Sequence, residues 1–279
     1  MIEHPAAHEA APIVYAPAHR RHIARLRREK IADFVLPIVG VVSVLFAWWA
    51  VVAGFRVRPF IAPSPMLVAR SLVTNRTLLL DNLVPTAVEA VGGFLIGNFV
   101  AILVAAAFVH SKPLQKILFP VAVMFNSIPV VAKAPILVLM LGSGLAPKVT
   151  IAAFVCFFPT LVNMMEGFSS VDPQVMELMS ILSASKRQTF FEVRMYNSLP
   201  YLFTSLRIAA SMSVIGAVVG EWIGSTKGIG AMILQATYAF DTGLLYSAIL
   251  VSTLLAGAFF LVIAYFEKIT IVWPSEPSH

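Results

Sequence analysis

The residues with the most chemical potential lie between 169 and 200, the one long polar segment between strongly apolar runs. There Glu177, Ser180, Ser183, Ser185, Lys186 and Arg187 are interleaved with Leu178 and Ala184. Charges and hydroxyls on short helices can seat a protein partner through ion pairs and hydrogen bonds. The competing reading is an ordinary surface loop. Helix connections usually take about 2 to 8 residues, so the length of this one favours docking.

A second set falls inside apolar runs. Lys133 sits between Pro129 and Pro135, close after Asn126 and Ser127, and Glu221 lies near the end of a later run. Ionisable groups at membrane depth are candidates for a solute path. Two prolines beside Lys133 free backbone groups, which is tolerated only around a cavity or a protein interior. Lys133 could attract an anionic solute. It could equally form a structural pair with Glu89 or Glu221, or extend to a headgroup. For Asn126 and Ser127 the alternative is hydrogen bonding between helices. For Glu221 it is a structural or gating role.

Other chemistries find little support. The chain lacks the phosphate cradle G-x-x-x-x-G-K-S/T, and Gly224-Ser-Thr-Lys-Gly228 has similar residues at the wrong spacing. The histidines, His4, His8, His19, His22, His110 and His279, lie outside the apolar runs, and no pair has metalloprotease spacing. No G-x-S-x-G is present. Cys156 stands alone in an apolar stretch, which suits a small buried hydrophobe and excludes an internal disulfide. We therefore expect a chain without enzymatic activity, metal or bound cofactor.

The elements that position these residues belong in a bilayer. Only 12% of the 279 residues are charged, against about 25% in soluble domains, and mean hydropathy is +0.86. This length supplies about six spans of ~20 residues. The apolar runs place them at 34–55, 84–109, 117–141, 149–168, 201–223 and 244–266. The third contains Pro120, Pro129 and Pro135, and the second carries Gly93 and Gly97 at a spacing that allows close helix approach. Short surface helices are expected at 66–80, behind Ser64 and Pro65, and at 231–241. The organisation is a basic segment at 1–33, a six-span domain at 34–268 and a tail at 269–279.

Six of the twenty Lys and Arg lie between Arg20 and Lys30, without interleaved aromatics. That pattern sets topology and suits anionic lipid heads; it is a poor footprint for nucleic acid. With both termini inside, inner segments hold twelve Lys and Arg and outer segments six. Residues 169–200 then face the cytoplasm. Within them Asp172 is a good N-cap and Pro173 suits the first helical position. Val175, Leu178 and Leu182 recur on one face. Ser185 with Gln188 fits a capping box, Phe190 and Val193 give the second helix an apolar side, and Leu199-Pro200 should stop it.

This segment resembles the cytoplasmic loop of binding-protein-dependent ABC importer permeases, whose motif is Glu-Ala-Ala, three residues, Gly, about nine residues, Ile-x-Leu-Pro. Glu177 falls on its Glu, Ser183 on its Gly and Leu199-Pro200 on its end. The flanks Ser170-Val-Asp-Pro173, Gly216-Ala-Val-Val-Gly-Glu-Trp-Ile-Gly224 and Lys227-Gly-Ile-Gly230 match as well. Ile61-Ala-Pro-Ser-Pro65 resembles the outer-loop start of the nitrate, sulfonate, taurine and pyrimidine-precursor subgroup. Leu178 and Met179 replace the two alanines, Ser183 the Gly, and Tyr196 the usual first Pro of the second helix. Ser183 adopts positive φ only with strain, so the bend could differ locally.

The resemblance implies an all-α permease in the inner (plasma) membrane, acting as two copies. A cytoplasmic ATPase subunit would use ATP and Mg2+, and a solute-binding protein would deliver a small polar solute. Glu177, Leu178, Ser180, Ser183, Ala184, Ser185, Lys186 and Arg187 would seat on the ATPase. A self-powered secondary transporter is the alternative; it would want mid-membrane carboxylates, whereas Glu89, Glu166 and Glu221 lie near span ends.

Overall fold

The computed structural model describes residues 35–36 and 38–271. The basic cluster from Arg20 to Lys30 and the tail beyond residue 271 lie outside them. Among the described residues all regular structure is helical. The chain divides into two units, Met1–Arg58 and Pro59–His279. The first contains α1, Ile38–Gly54, an apolar helix somewhat shorter than a full span.

The second unit holds the remaining helices. α2, Pro65–Thr74, starts as expected: Ser64 Oγ accepts from the Leu67 amide at 3.2 Å, with proline in the first turn. α3, Arg76–His110, begins well before residue 84, so residues 76–80 belong to a span and not to the surface helix the sequence suggested. The reason is packing. Leu79 is buried in a cluster with Ile229, Met232 and Ala248, which extends the helix outward.

α4, Lys112–Ser127, and α5, Val130–Leu141, replace the single third span. They meet at 99°. Pro129 causes the break, because the residue before a proline is pushed out of the α region; Ile128 is extended, at φ −69° and ψ 126°. Pro120 and Pro135 are carried inside helices instead. α6 is Leu145–Ser169 and α7 is Pro173–Ile181. α8, Lys186–Gln188, passes through a π-helical turn, Thr189–Arg194, into α9, Met195–Glu221. Leu199-Pro200 therefore does not stop the second helix, which runs unbroken from Lys186 to Glu221. α10 is Ile229–Tyr238 and α11 is Thr242–Thr270. α10 is no surface helix: Ile229, Ala231, Met232 and Ala236 are buried.

α3 and α6 run parallel. Lys148 meets Glu89 at one end, Thr160 meets Asn98 midway, and Leu161, Met164 and Phe168 pack with Ala101, Ala105 and Phe108 toward the other. At ~1.5 Å per residue this shared length approaches the bilayer core of ~30 Å. Two parallel helices need a return path of equal length. α4 leaves from the end of α3 and α5 delivers the chain to the start of α6, so the bent pair is a broken span rather than a re-entrant loop. Among the described residues of Pro59–His279 it joins α3, α6, α9 and α11 as a fifth crossing. α9 runs antiparallel to α6, with Gly167 against Ser198 and Tyr201, Cys156 against Ala209, and Gly220 against Lys148.

Glycine sets the spacing. A methyl group at Gly97 would overlap the Ala153 backbone, and one at Gly93 would overlap the Ala152 side chain. Gly97→Val should destabilise the chain by about 3 kcal/mol through overpacking, read as a lower melting temperature in detergent. Gly257→Ala, with nothing within 4 Å, should melt like wild type. Equal melting of both variants would refute the close approach.

Candidate functional site

The hairpin at 172–188 is built from its caps. The Asp172 carboxylate accepts from the Gln174 amide at 2.8 Å, with Pro173 opening α7. α7 ends in a reverse turn in which the Ala184 amide donates to the Met179 carbonyl and the Ser183 amide to that of Ser180. This geometry requires a left-handed residue, and Ser183 supplies it at φ 54° where the resembling motif has glycine. Ser185 and Gln188 form the reciprocal box, at 3.2 and 2.9 Å.

The two faces of α7 differ. Met176 and Met179 turn inward and, with His110, Phe190 and Arg194, line a cavity of about 350 Å³. Leu178, Ile181 and Leu182 turn outward and are 53%, 74% and 67% exposed. Glu177, Ser183, Ser185 and Arg187 are also exposed, while Ser180 and Lys186, exposed as well, and half-buried Ala184 edge the cavity. The structure therefore gathers all eight predicted docking residues on one short hairpin.

Its base is tied to the spans. Arg194 donates to the Phe168 carbonyl at the end of α6, and Asn197 to Ser170 Oγ at 2.8 Å. Buried Phe190 packs with tilted rings against Phe168 at 5.1 Å and against His110, the last residue of α3, at 4.7 Å. Residues 110, 168, 194 and 197 had not been singled out as anchors; only the apolar character of Phe190 hinted at this.

The second set separates into two places. Lys133 and Asn126 line one cavity of about 290 Å³ at the α4–α5 break, with Lys133 Nζ 4.7 Å from the Phe125 ring centre. Ser127 turns onto its own helix, donating to the Val123 carbonyl at 2.9 Å. Glu221 lies elsewhere, fully buried at the end of the bundle opposite the hairpin. Its carboxylate accepts from Thr86 Oγ1 at 2.6 Å and from the Gly230 amide at 2.5 Å. Thr86 Oγ1 in turn accepts from the Ile229 amide at 2.8 Å, and Asn82 Oδ1 from that of Gly228, also at 2.8 Å. Three successive amides that open α10 are thus held by α3 and α9, a fitting place for a carboxylate. Gly228, at φ 116°, and Gly230 are obligatory, because a side chain at either would overlap Glu221.

The pairing of Lys133 with Glu89 or Glu221 is not observed. Lys148 holds Glu89 at 2.9 Å and also donates to Ser225 at 2.8 Å. Fifty-nine residues separate Lys148 from Glu89, and sequence spacing carried no sign of the pair. Both side chains are well buried, at 12% and 2% exposure. Lys148→Met should therefore cost about 3 kcal/mol by stranding a buried charge. Lys148→Met with Glu89→Gln should recover most of that loss in a thermal melt. A double variant no more stable than the single one would contradict the pairing.

Comparison with known proteins follows the same lines. Residues 97–270 match the family described as binding-protein-dependent transport system inner membrane component. A probable ABC transporter permease protein of Haemophilus influenzae is 32% identical over 76% of this chain and 86% of its own length. The formylaminopyrimidine transport permease protein of Halalkalibacterium halodurans is 31% identical, over 82% and 92% respectively. The riboflavin transport system permease protein of Chloroflexus aurantiacus is 32% identical, over 86% and 90%. Its helical, multi-pass architecture and these matches together make the chain a member of the binding-protein-dependent ABC permease family.

Proposed function

We propose that this chain is the membrane half of an ATP-driven importer in the inner (plasma) membrane. Two copies receive a small polar solute of the sulfonate, nitrate, taurine or vitamin-precursor type from a solute-binding protein outside. They pass it inward between their spans. Each copy seats its 172–188 hairpin on a cytoplasmic ATPase subunit, which binds ATP and Mg2+. With α1 taken as a further crossing, both termini lie in the cytoplasm, and the Glu221 network lies at the outer end.

The observation that carries this reading is the hairpin's outward face. Leu178, Ile181 and Leu182 are large apolar side chains in water unless a partner covers them, and the same hairpin exposes the charges of Glu177, Lys186 and Arg187. The anchoring of the base makes the hairpin a handle. Motion of a seated α8 reaches α6 through Arg194, Phe190 and Phe168, and α9 through the continuous helix from Lys186. An ion-driven mechanism would use mid-membrane carboxylates, whereas Glu89 and Glu221 are committed to Lys148 and to α10 at one end.

Glu177→Arg changes only an exposed side chain, so insertion should be normal. Reversing a charge at a protein interface should weaken it by about tenfold or more. ATPase co-purifying with the variant should fall accordingly, with uptake into proteoliposomes falling in parallel. Wild-type uptake by Glu177→Arg would remove the hairpin from the coupling route.

A further inference from the structure

The cavity at the α4–α5 break has a composition that narrows the solute class. Phe108, Phe125, Phe154, Phe157 and Phe158 share its walls with four aliphatic side chains, and Asn126 and Lys133 supply its polar groups. Phe157 is the middle residue of α6, Leu145–Ser169, so the cavity sits at mid-membrane depth. Phe125 and Phe154 meet edge to face, with centroids 5.0 Å apart and planes at 66°.

Lys133 is unusual in this setting. Among the described residues no carboxylate lies within 4 Å of its ammonium group, whose observed neighbour is the face of Phe125. A cation in an apolar surrounding is stabilised by an aromatic face and more fully by an anion. α5 begins three residues earlier, at the break, without a side-chain cap, and adds its positive end to the same region.

We infer that this cavity is a solute subsite that selects a planar aromatic ring bearing an anionic group. The ring stacks against Phe154 and its neighbours while the anionic edge meets Lys133 and Asn126. Nitrate, taurine and alkyl sulfonates carry no aromatic ring; such ions would surrender hydration to phenyl walls and gain little in return. A ring compound replaces water with stacking and keeps the ion pair. The volume, about 290 Å³, suits a compact ligand of this kind. The inference rests on reading the chain as a solute-conducting permease, but it concerns binding to the chain and needs no ATPase.

The test uses the full chain in nanodiscs of phosphatidylethanolamine and phosphatidylglycerol, without ATPase or binding protein. Radiolabelled 2-naphthoate, cyclohexanecarboxylate and taurine are compared by equilibrium dialysis against empty nanodiscs. Saturable 2-naphthoate binding is expected, at least about tenfold tighter than that of the two non-aromatic probes. Lys133→Met should weaken it by about tenfold and Phe154→Leu by roughly threefold to tenfold. Lys133→Arg should retain it, and each variant should elute from a sizing column as wild type does. Equal binding of the three probes would overturn the inference. So would 2-naphthoate uptake no greater than that of empty nanodiscs, which is the result if lipid or a second copy fills the cavity. Binding indifferent to both Lys133→Met and Phe154→Leu would also overturn it. Loss of ATPase docking in Glu177→Arg leaves this measurement untouched, so the two readings fail separately.

Discussion

Ala152 and Ala153 on α6 are gripped from both sides, and the architecture follows from that contact. Gly93 and Gly97 of α3 lie against them on one flank, and Gly216 of α9 meets the Ala152 backbone on the other. Inside a bilayer, helices gain no hydrophobic advantage from meeting, so association relies on close van der Waals packing and on hydrogen bonds. Small residues at one level of three helices provide the first. Thr160 donating to Asn98 at 2.5 Å and Cys156 donating to the Ala209 carbonyl at 3.3 Å provide the second.

Direction then determines where chemistry can occur. The parallel course of α3 and α6 forces a return crossing, and Pro129 makes that crossing a bent one. The bend opens the phenyl-lined cavity and brings Lys133 to it. The antiparallel course of α6 and α9 leaves their connection, the hairpin, at one end and Glu221 at the other. Buried polar groups are concentrated at these ends. At the hairpin end, Arg194 donates to the Phe168 carbonyl in the last turn of α6 and Asn197 to the hydroxyl of its cap residue Ser170. At the far end, Thr86, Asn82 and Glu221 take up the opening amides of α10. An anchored hairpin at one end and a clamped α10 at the other are thus joined by tightly packed helices.

Local signals were legible where a single residue type has one physical use. Asp172 before Pro173, Ser185 three residues before Gln188, and Ser64 before Pro65 all became the caps their chemistry suggests. Ser183 adopted positive φ because the turn demands it whatever residue stands there. Gly93 and Gly97 marked the contact between α3 and α6. Proline misled. Of the prolines in the third span only Pro129 broke the helix, and Pro200 was carried through a helix whose buried face supplies the missing support. Long-range polar pairing was invisible: nothing near Glu89 named Lys148, and nothing near Arg194 named the Phe168 carbonyl. The burial of α10 was missed for a related reason, since its apolar residues answer partners on α3 and α11.

The central claim is that a cytoplasmic motor drives this molecule through the hairpin. Membrane-impermeant maleimide labelling of a Ser180→Cys variant tests it most directly, because Ser180 is exposed and the native Cys156 is buried. Labelling should occur in inside-out vesicles, fail in right-side-out vesicles, and be blocked when the ATPase subunit is bound. Labelling from the outer face, or labelling indifferent to the ATPase, would contradict the account.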